Sequence, residues 1–356
     1  MKKDLWGLQH MKRLRSLMFL LAALLLAGCA APDAPAAEEE PCRHELMAMD
    51  TIMSLTIYGK PARKAQDILQ QAAGRIHELE ALLSVTDENS EIYRVNHSGG
   101  EAVFLSEESR QLLAEALALC ESTGGALDVT IYPVVRAWGF TTGDYRVPEA
   151  AELTALLAGV DYTRVALEGE RLTLPEGVEL DLGAVAKGWT GDQLMDIFAG
   201  AGVTSAIVEL GGNVQTLGAK PDGTPWRVAL QAPEGGYAGV LEIVDKAVIT
   251  SGGYQRYFEQ DDETYIHIID PSTGYPAESG LVSATIVTDR GVQGDGLSTA
   301  LFVMGREKAE DYWQAHHDFD FILLCEDGTA VITEGLEDNF SLYGDWQDSP
   351  LEIIRK

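Results

Sequence analysis

The chain is 356 residues long and 46% apolar, enough to bury a substantial core in one large domain or two smaller ones. Acidic residues outnumber basic ones 56 to 26, a formal charge of −30, which argues against nucleic acid and against electrostatic adsorption to anionic lipid. A phosphate-bearing ligand on such a surface needs a local remedy: a metal ion, a helix N-terminus or a well-placed lysine.

At the N-terminus, Lys12, Arg13 and Arg15 precede an apolar run from Leu17 to Gly28. The run is short of the roughly 20 residues a membrane-spanning helix needs, so it reads as the apolar part of a secretory signal. Its end, "LAGC" (Leu26 to Cys29), resembles a bacterial lipobox, in which the cysteine is lipidated and becomes the new N-terminus. The alternative is a signal peptide cut elsewhere, with Cys29 incidental. The stretch "AAPDAPAAEEEP" after it is small, acidic and proline-containing, and buries too little to offset the entropy of ordering. The expected organisation is therefore a lipoprotein signal peptide over 1–28, a flexible acidic tether over 29–43 and a single catalytic domain over 44–356. The leader holds five basic residues and one acid, so the remainder stands near −34 and its membrane attachment would come from the lipid alone, on the extracytoplasmic face. Cys42, Cys120 and Cys325 are widely spaced, which supports neither a zinc site nor a disulfide framework.

In chain order, Leu46 to Gly59 alternates and predicts the first strand, and Ala62 to Leu83 has helical apolar spacing. A second helix is expected over Glu107 to Ser122. Arg164 to Gly183 alternates around two turn signals and reads as a meander; Ala184 to Gly202 returns to helical spacing and ends in glycines. Strands are expected at "SAIVEL", "GGNVQTLG", "WRVALQA", "GVLEIVD", "AVITSGG" and "GLVSATIVT", then a helix beginning over Asp295 to Met304. A late hairpin turns at Asp327-Gly328. Strands follow strands often enough that an α+β fold, a mixed sheet with packed helices, fits better than regular βαβ alternation.

Several stretches set polar groups against apolar structure. In "GGALDVTIYPVVRAWGF", Asp128 and Thr130 flank a strand-like run; an N-cap followed by aromatic core would explain them equally. In "DLGAVAKGW", Lys187 sits near the start of a helix whose dipole already makes that end positive, which is unfavourable unless an anionic ligand joins it. In "TSGGYQRYF", a strand runs into hydroxyls and glycines before an expected short helix, so backbone N–H groups there would cradle a phosphate or a flavin edge, or merely cap a turn. The turn in "YIHIIDPSTGYP" needs its prolines and glycine but not His267 or Asp270. In "GDGLSTALFVMG", Asp295 and Thr299 share one helical face, and an acid beside a hydroxyl suits a hard cation such as Mg²⁺; a helix-start aspartate and a core-facing threonine is the plain alternative.

Six segments, "LDVTIYPVVRAWGF", "DLGAVAKGW", "VELGGNVQTLG", "ITSGGYQRYFE", "HIIDPSTGYP" and "GDGLSTALFVMG", occur in the order found in the ApbE family of FAD:protein FMN transferases, which the chain resembles from about Met49 to Gly305. The resemblance implies a T-fold-like α+β sheet with helices on one side. It also implies Mg²⁺-dependent cleavage of FAD, with FMN passed to a threonine or serine of an extracytoplasmic flavin-acceptor subunit of an electron-transfer system and AMP released. It places metal ligands at the Ala184 carbonyl, Asp295 and Thr299, with Ser298 where some relatives carry a second aspartate. FAD contacts fall on Met49, Thr86, Leu127, Asp128, Asp181, Lys187 and Ile269. His267 is then the base for the acceptor hydroxyl, and Asp270 either orients that ring or holds the loop. Two rivals stand beside it: an FAD pyrophosphatase that keeps the same site with water as the acceptor, and a non-catalytic FAD-binding lipoprotein, against which His267, Asp295 and Thr299 argue.

Overall fold

The computed structural model describes residues 40–356; the expected signal peptide, Cys29 and the tether as far as residue 39 lie outside the described residues. The first regular element is a strand, β1 (Cys42–Ala48), so two residues expected in the tether, Cys42 and Arg43, belong to the folded domain. Arg43 Nε donates to Ser54 Oγ at 3.0 Å across the pairing with β2 (Thr51–Ile57). The single first strand expected over Leu46 to Gly59 is thus a hairpin. Its two-residue turn, Met49-Asp50, has φ of 49° and 58°, the left-handed pair of a type I′ turn, here without the usual asparagine or glycine.

Helix α1 (Ala62–Leu83) comes next as expected, then α2 (Glu91–Asn96), the short strand β3 (Val103–Phe104) and α3 (Glu107–Ser122). Ser106 caps α3 by accepting from the Ser109 N–H, and Glu107 and Glu108 face the positive end of its dipole. Two short helices succeed it, α4 (Tyr132–Ala137) and α5 (Ala150–Leu157). The expected meander yields only β4 (Ala166–Glu168) and β5 (Arg171–Thr173), in a small sheet of order β3-β5-β4. Its last limb reaches Asp181 with one isolated bridge, Ile131 to Glu179, and enters α6 (Gly183–Gly200).

The remaining elements are β6 (Ala206–Leu210), β7 (Asn213–Leu217), β8 (Trp226–Gln231), β9 (Tyr237–Ile243), β10 (Ala247–Gly252), β11 (Tyr257–Gln260), β12 (Glu263–Ile266), β13 (Leu281–Thr288), α7 (Gly291–His316), β14 (Asp320–Cys325), β15 (Ala330–Thr333), β16 (Phe340–Leu342) and β17 (Leu351–Ile354). The short helix expected after Thr250-Ser251-Gly252-Gly253 is instead the β11–β12 hairpin, in which Tyr257, Phe258 and Tyr265 find cross-strand partners.

Nine strands form one sheet in the order β1-β2-β6-β7-β10-β13-β14-β15-β17, antiparallel except for the last pair. Helices α1, α6 and α7 cover one face. Ile68, Leu69, Ala72 and Ile76 of α1 and Leu194 and Phe198 of α6 share a core with Met53, Leu55 and Val208, and Leu297, Leu301 and Trp313 of α7 share another with Ala284, Ile286 and Phe321. Each such large side chain contributes about 1.5–3 kcal/mol by leaving water. The other face carries a three-stranded sheet, β16-β9-β8, packed through Trp226, Val228 and Leu241. This is the expected α+β class.

Helices α6 and α7 meet on glycine: a Cβ at Gly188 would lie 2.1 Å from the Gly291 carbonyl oxygen and 2.7 Å from Asp295 Cβ. Only residues without a side chain allow the two backbones so close, and that approach brings Lys187 and Asp295 together. Asp192 of α6 caps α7 by accepting from the Gly291 and Val292 N–H groups at 2.6 and 3.1 Å. The first limb of α7 ends at Gly305, whose φ of 73° breaks the helix.

Candidate functional site

A cleft opens where α6 begins, beside the first turns of α7 and the ends of β6 and β10. It has two lobes, of about 240 and 380 Å³, which share Phe140, Thr141, Asp181, Gly183, Lys187 and Arg256. The first lobe is walled by Leu127, Val129, Phe140 and Ile269 and reaches His267, Asp295 and Thr299; the second is walled by Met49, Leu83, Val85 and Thr86. A long ligand with two flat ends and a polar middle suits that shape.

At the junction, Asp181 Oδ1 accepts from the Gly183 N–H at 2.8 Å and so fixes the start of α6. Burial pushes the Asp181 carboxyl above its ordinary value, while that N–H, Lys187 and Arg256 pull it back. Lys187 Nζ lies 3.7 Å from Asp295 Oδ1 and donates to the Gly183 carbonyl at 3.4 Å. Asp295 is 4% exposed, and its Oδ2 accepts from the Gly188 N–H at 2.8 Å. In an uninterrupted helix that N–H points at the carbonyl of Ala184, which lines the same wall. Asp295, Thr299 and the Ala184 carbonyl therefore present oxygen only, around a buried carboxylate whose one cationic partner among the described residues is a lysine. That set suits a hard divalent cation. Among the described residues no three His, Cys, Asp or Glu side chains cluster.

Ser298 does not join them. It is fully buried, its Oγ donates to the Asp295 carbonyl at 2.9 Å and lies 2.8 Å from Ser251 Oγ, and it is absent from the cleft wall. Asp295 and Thr299 are four apart on α7 and share a face; Ser298, one residue short, is turned toward β10. Ser251 is the bridge, with its hydroxyl also 3.3 Å from Thr299 Oγ1.

His267 lies just past β12. Both its backbone N–H (3.0 Å) and its ring Nδ1 (3.1 Å) bond to the carbonyl of Arg256. A carbonyl only accepts, so Nδ1 carries the ring proton and Nε2 keeps its lone pair. Burial pushes the pKa of His267 down to about 4, assisted by the charges of Arg256 and Lys187 against the pull of the carbonyl. The ring is thus neutral at neutral pH. Asp270 is not its partner: Asp270 Oδ1 accepts from the Ser272 N–H and Oγ at 2.8 and 2.7 Å, and its carbonyl accepts from Thr273 and Gly274. Of the two roles expected for Asp270, the geometry gives it the loop and leaves the ring to a main-chain carbonyl.

The expected FAD contacts divide between the lobes, with Leu127, Asp128 and Ile269 in the first, Met49 and Thr86 in the second and Asp181 and Lys187 at the junction. Asp128 lines the wall, but its carboxylate is occupied by the Thr130 N–H and Oγ1 and the Tyr162 N–H (2.8, 2.6 and 3.1 Å); it is not the expected N-cap, since α4 is capped at Ile131 without a side-chain bond. Met49 sits at the left-handed hairpin turn, where its N–H donates to Glu80 Oε1 at 2.5 Å. Sequence reasoning did not single out Arg256, Ser251, Gln255 or Asn213. The first three lie inside "TSGGYQRYF"; Asn213, 3% exposed and with no partner for its Nδ2 among the described residues, lies in "GGNVQTLG".

The sequence pattern of the ApbE family matches residues 49–323. The FAD:protein FMN transferase of Vibrio cholerae is 36% identical, over 82% of this chain and 88% of its own, and that of Treponema pallidum 30%, over 88% and 92%. Among solved structures, the ApbE protein of Thermotoga maritima superposes with a TM-score of 0.80 at 30% identity, covering 84% of this chain and 99% of its own. The apo flavinyl transferase ApbE of Pseudomonas stutzeri gives 0.77 at 28%, covering 86% and 98%.

Proposed function

The chain belongs to the ApbE family, and we propose that it is an FAD:protein FMN transferase whose reaction runs in the cleft between α6, α7 and the His267 loop. FAD lies across the two lobes with its pyrophosphate at their junction, beside Lys187. The acceptor is a threonine or serine hydroxyl of a partner flavoprotein. Its oxygen attacks the phosphorus of the FMN half, the phosphoanhydride bond to AMP breaks, and AMP leaves with the bridging oxygen. The hydroxyl proton passes to Nε2 of His267.

The observation that carries this reading is the state of that imidazole. Its Nδ1 proton is committed to the Arg256 carbonyl, its Nε2 has no partner among the described residues, and burial keeps it unprotonated in the same lobe as Asp295 and Lys187. The Lys187 ammonium offsets charge on the phosphates, and the dipole of α6, which begins at the junction, adds to it. Asp295, Thr299 and the Ala184 carbonyl would hold Mg²⁺, which when bound neutralises phosphate charge.

The sequence supports an address as well. The lipobox-like "LAGC" and the acidic tether favour a protein anchored through lipid on Cys29 at the extracytoplasmic face of the membrane, with its acceptor there. Among the described residues no helix is long and apolar enough to cross a membrane. The test is to follow AMP release from FAD in the presence of an acceptor domain, before and after chelation. Mg²⁺-dependent AMP release that requires His267 supports the reading; release insensitive to both sinks it.

A further inference from the structure

We propose that Arg256 is a second cationic ligand for the FAD pyrophosphate, working beside Lys187; the inference rests on the reading of the cleft as an FAD site. Of all the residues lining either lobe, only Lys187 and Arg256 carry a permanent positive charge, and both belong to the wall the lobes share. A dinucleotide that fills both lobes lays its two phosphate charges across that wall.

The balance of side-chain charge alone is unfavourable there without Arg256. Asp181 lies on the shared wall and Asp295 beside it in the first lobe, and Lys187 is already drawn to Asp295. One lysine against two carboxylates leaves the side chains net negative before Mg²⁺ binds, on a chain whose formal charge is −30. A guanidinium restores the balance and matches phosphate oxygens with paired N–H donors.

Arg256 is also free to serve. Among the described residues its one ion pair is with Asp50, at 3.6 Å, on the tip of the β1–β2 hairpin, where the Asp50 side chain is 86% exposed. An exposed pair of that kind holds little and yields to a better partner. The main chain of Arg256, meanwhile, is fixed by both bonds from His267. One residue thus sets the tautomer of the base through its carbonyl and meets the phosphates through its side chain.

The experiment measures binding of FAD, ADP, adenosine and riboflavin to the full chain and to Arg256→Ala, Arg256→Lys and Asp50→Ala. Arg256→Ala is expected to weaken FAD and ADP about 10- to 100-fold, the range for losing a charge-assisted hydrogen bond. Adenosine and riboflavin, which lack phosphate, should bind the variant as they bind the parent. Arg256→Lys should recover part of the loss, and Asp50→Ala should show none of it. The acid limb of the kcat profile should move up in Arg256→Ala, because the guanidinium charge helps hold His267 down, and stay in place in Arg256→Lys, which keeps a positive charge. Equal loss of adenosine and riboflavin, or the same loss in Asp50→Ala, would mean that Arg256 only shapes the hairpin, and would overturn the inference. Unchanged ADP binding in Arg256→Ala would overturn it directly. A parent protein that binds neither FAD nor ADP would instead refute the FAD site itself, and the inference with it.

Discussion

Lys187 and Asp295 face each other at 3.7 Å because the helices that carry them touch at Gly188 and Gly291. The pair is as much a product of packing as of charge: the buried Asp295 carboxylate is held in the cleft wall by the Gly188 amide of the facing helix and by the lysine one residue before it.

That dependence makes Gly188 a sensitive position. A methyl group at Gly188 meets backbone and the Asp295 Cβ, none of which moves cheaply, so Gly188→Ala should cost about 1–3 kcal/mol or more of stability. Denaturant titration measures this. A neutral result would mean that the two helices cross more loosely than a glycine-to-glycine contact.

His267→Ala should lower kcat for transfer about 10²–10⁴-fold while leaving FAD affinity essentially intact, as expected for a base that acts on the acceptor. Stopped-assay kinetics beside FAD binding separates the two. Equal losses in both would point to a ligand-holding role instead.

The pH profile should carry the mark of burial. Free histidine titrates near 6.5, whereas His267 is held down to about 4, so it stays a competent base across the mildly acid range. The acid limb of kcat/KM is therefore expected well below 6.5. A limb centred on 6.5 would show an imidazole in contact with water.

Asp295→Asn keeps an acceptor for the Gly188 N–H but removes the charge. Activity should then need at least about tenfold more Mg²⁺, because one anionic ligand is lost from a shell of few. Titrating Mg²⁺ against rate in the parent and the variant checks it; identical curves would move the cation elsewhere.

Asp192 gives a stability test remote from chemistry. Burial pushes its pKa up to about 6, against the pull of the Gly291 and Val292 N–H groups and Arg290. The fold therefore prefers Asp192 protonated. The stabilisation from this group is complete below the ordinary value of 3.8 and is lost as the pH rises through about 6. Asp192→Asn should flatten that part of the stability profile while still accepting from the N–H groups at the start of α7.

Much of this is legible in the sequence for physical reasons. Ala62 to Leu83 and Glu107 to Ser122 match α1 and α3 because their apolar stripes run unbroken to real caps or turns. Asp295 and Thr299 are legible through their spacing of four. The features that escape a reading of the sequence depend on partners far away along the chain. The hairpin at Met49-Asp50 uses left-handed backbone without glycine, and the β11–β12 hairpin forms because Phe258 and Tyr265 stack across strands, at 5.2 Å between ring centroids. The resemblance places Ser298 beside the metal ligands, yet the fold turns it to Ser251. Asp270 sits three residues from His267 and bonds forward to Ser272 rather than back to the ring. Arg256 stands within "TSGGYQRYF", but only the folded chain places its carbonyl on His267 and its side chain at the junction.

The most direct test of the transferase mechanism is the intact mass of a flavin-acceptor domain after incubation with the protein, FAD and Mg²⁺. The predicted result is a gain equal to FMN less one water, on a single threonine or serine, matched mole for mole by AMP and lost in His267→Ala. AMP and free FMN with an unchanged acceptor mass, across several acceptor domains, would contradict it and make water the true acceptor.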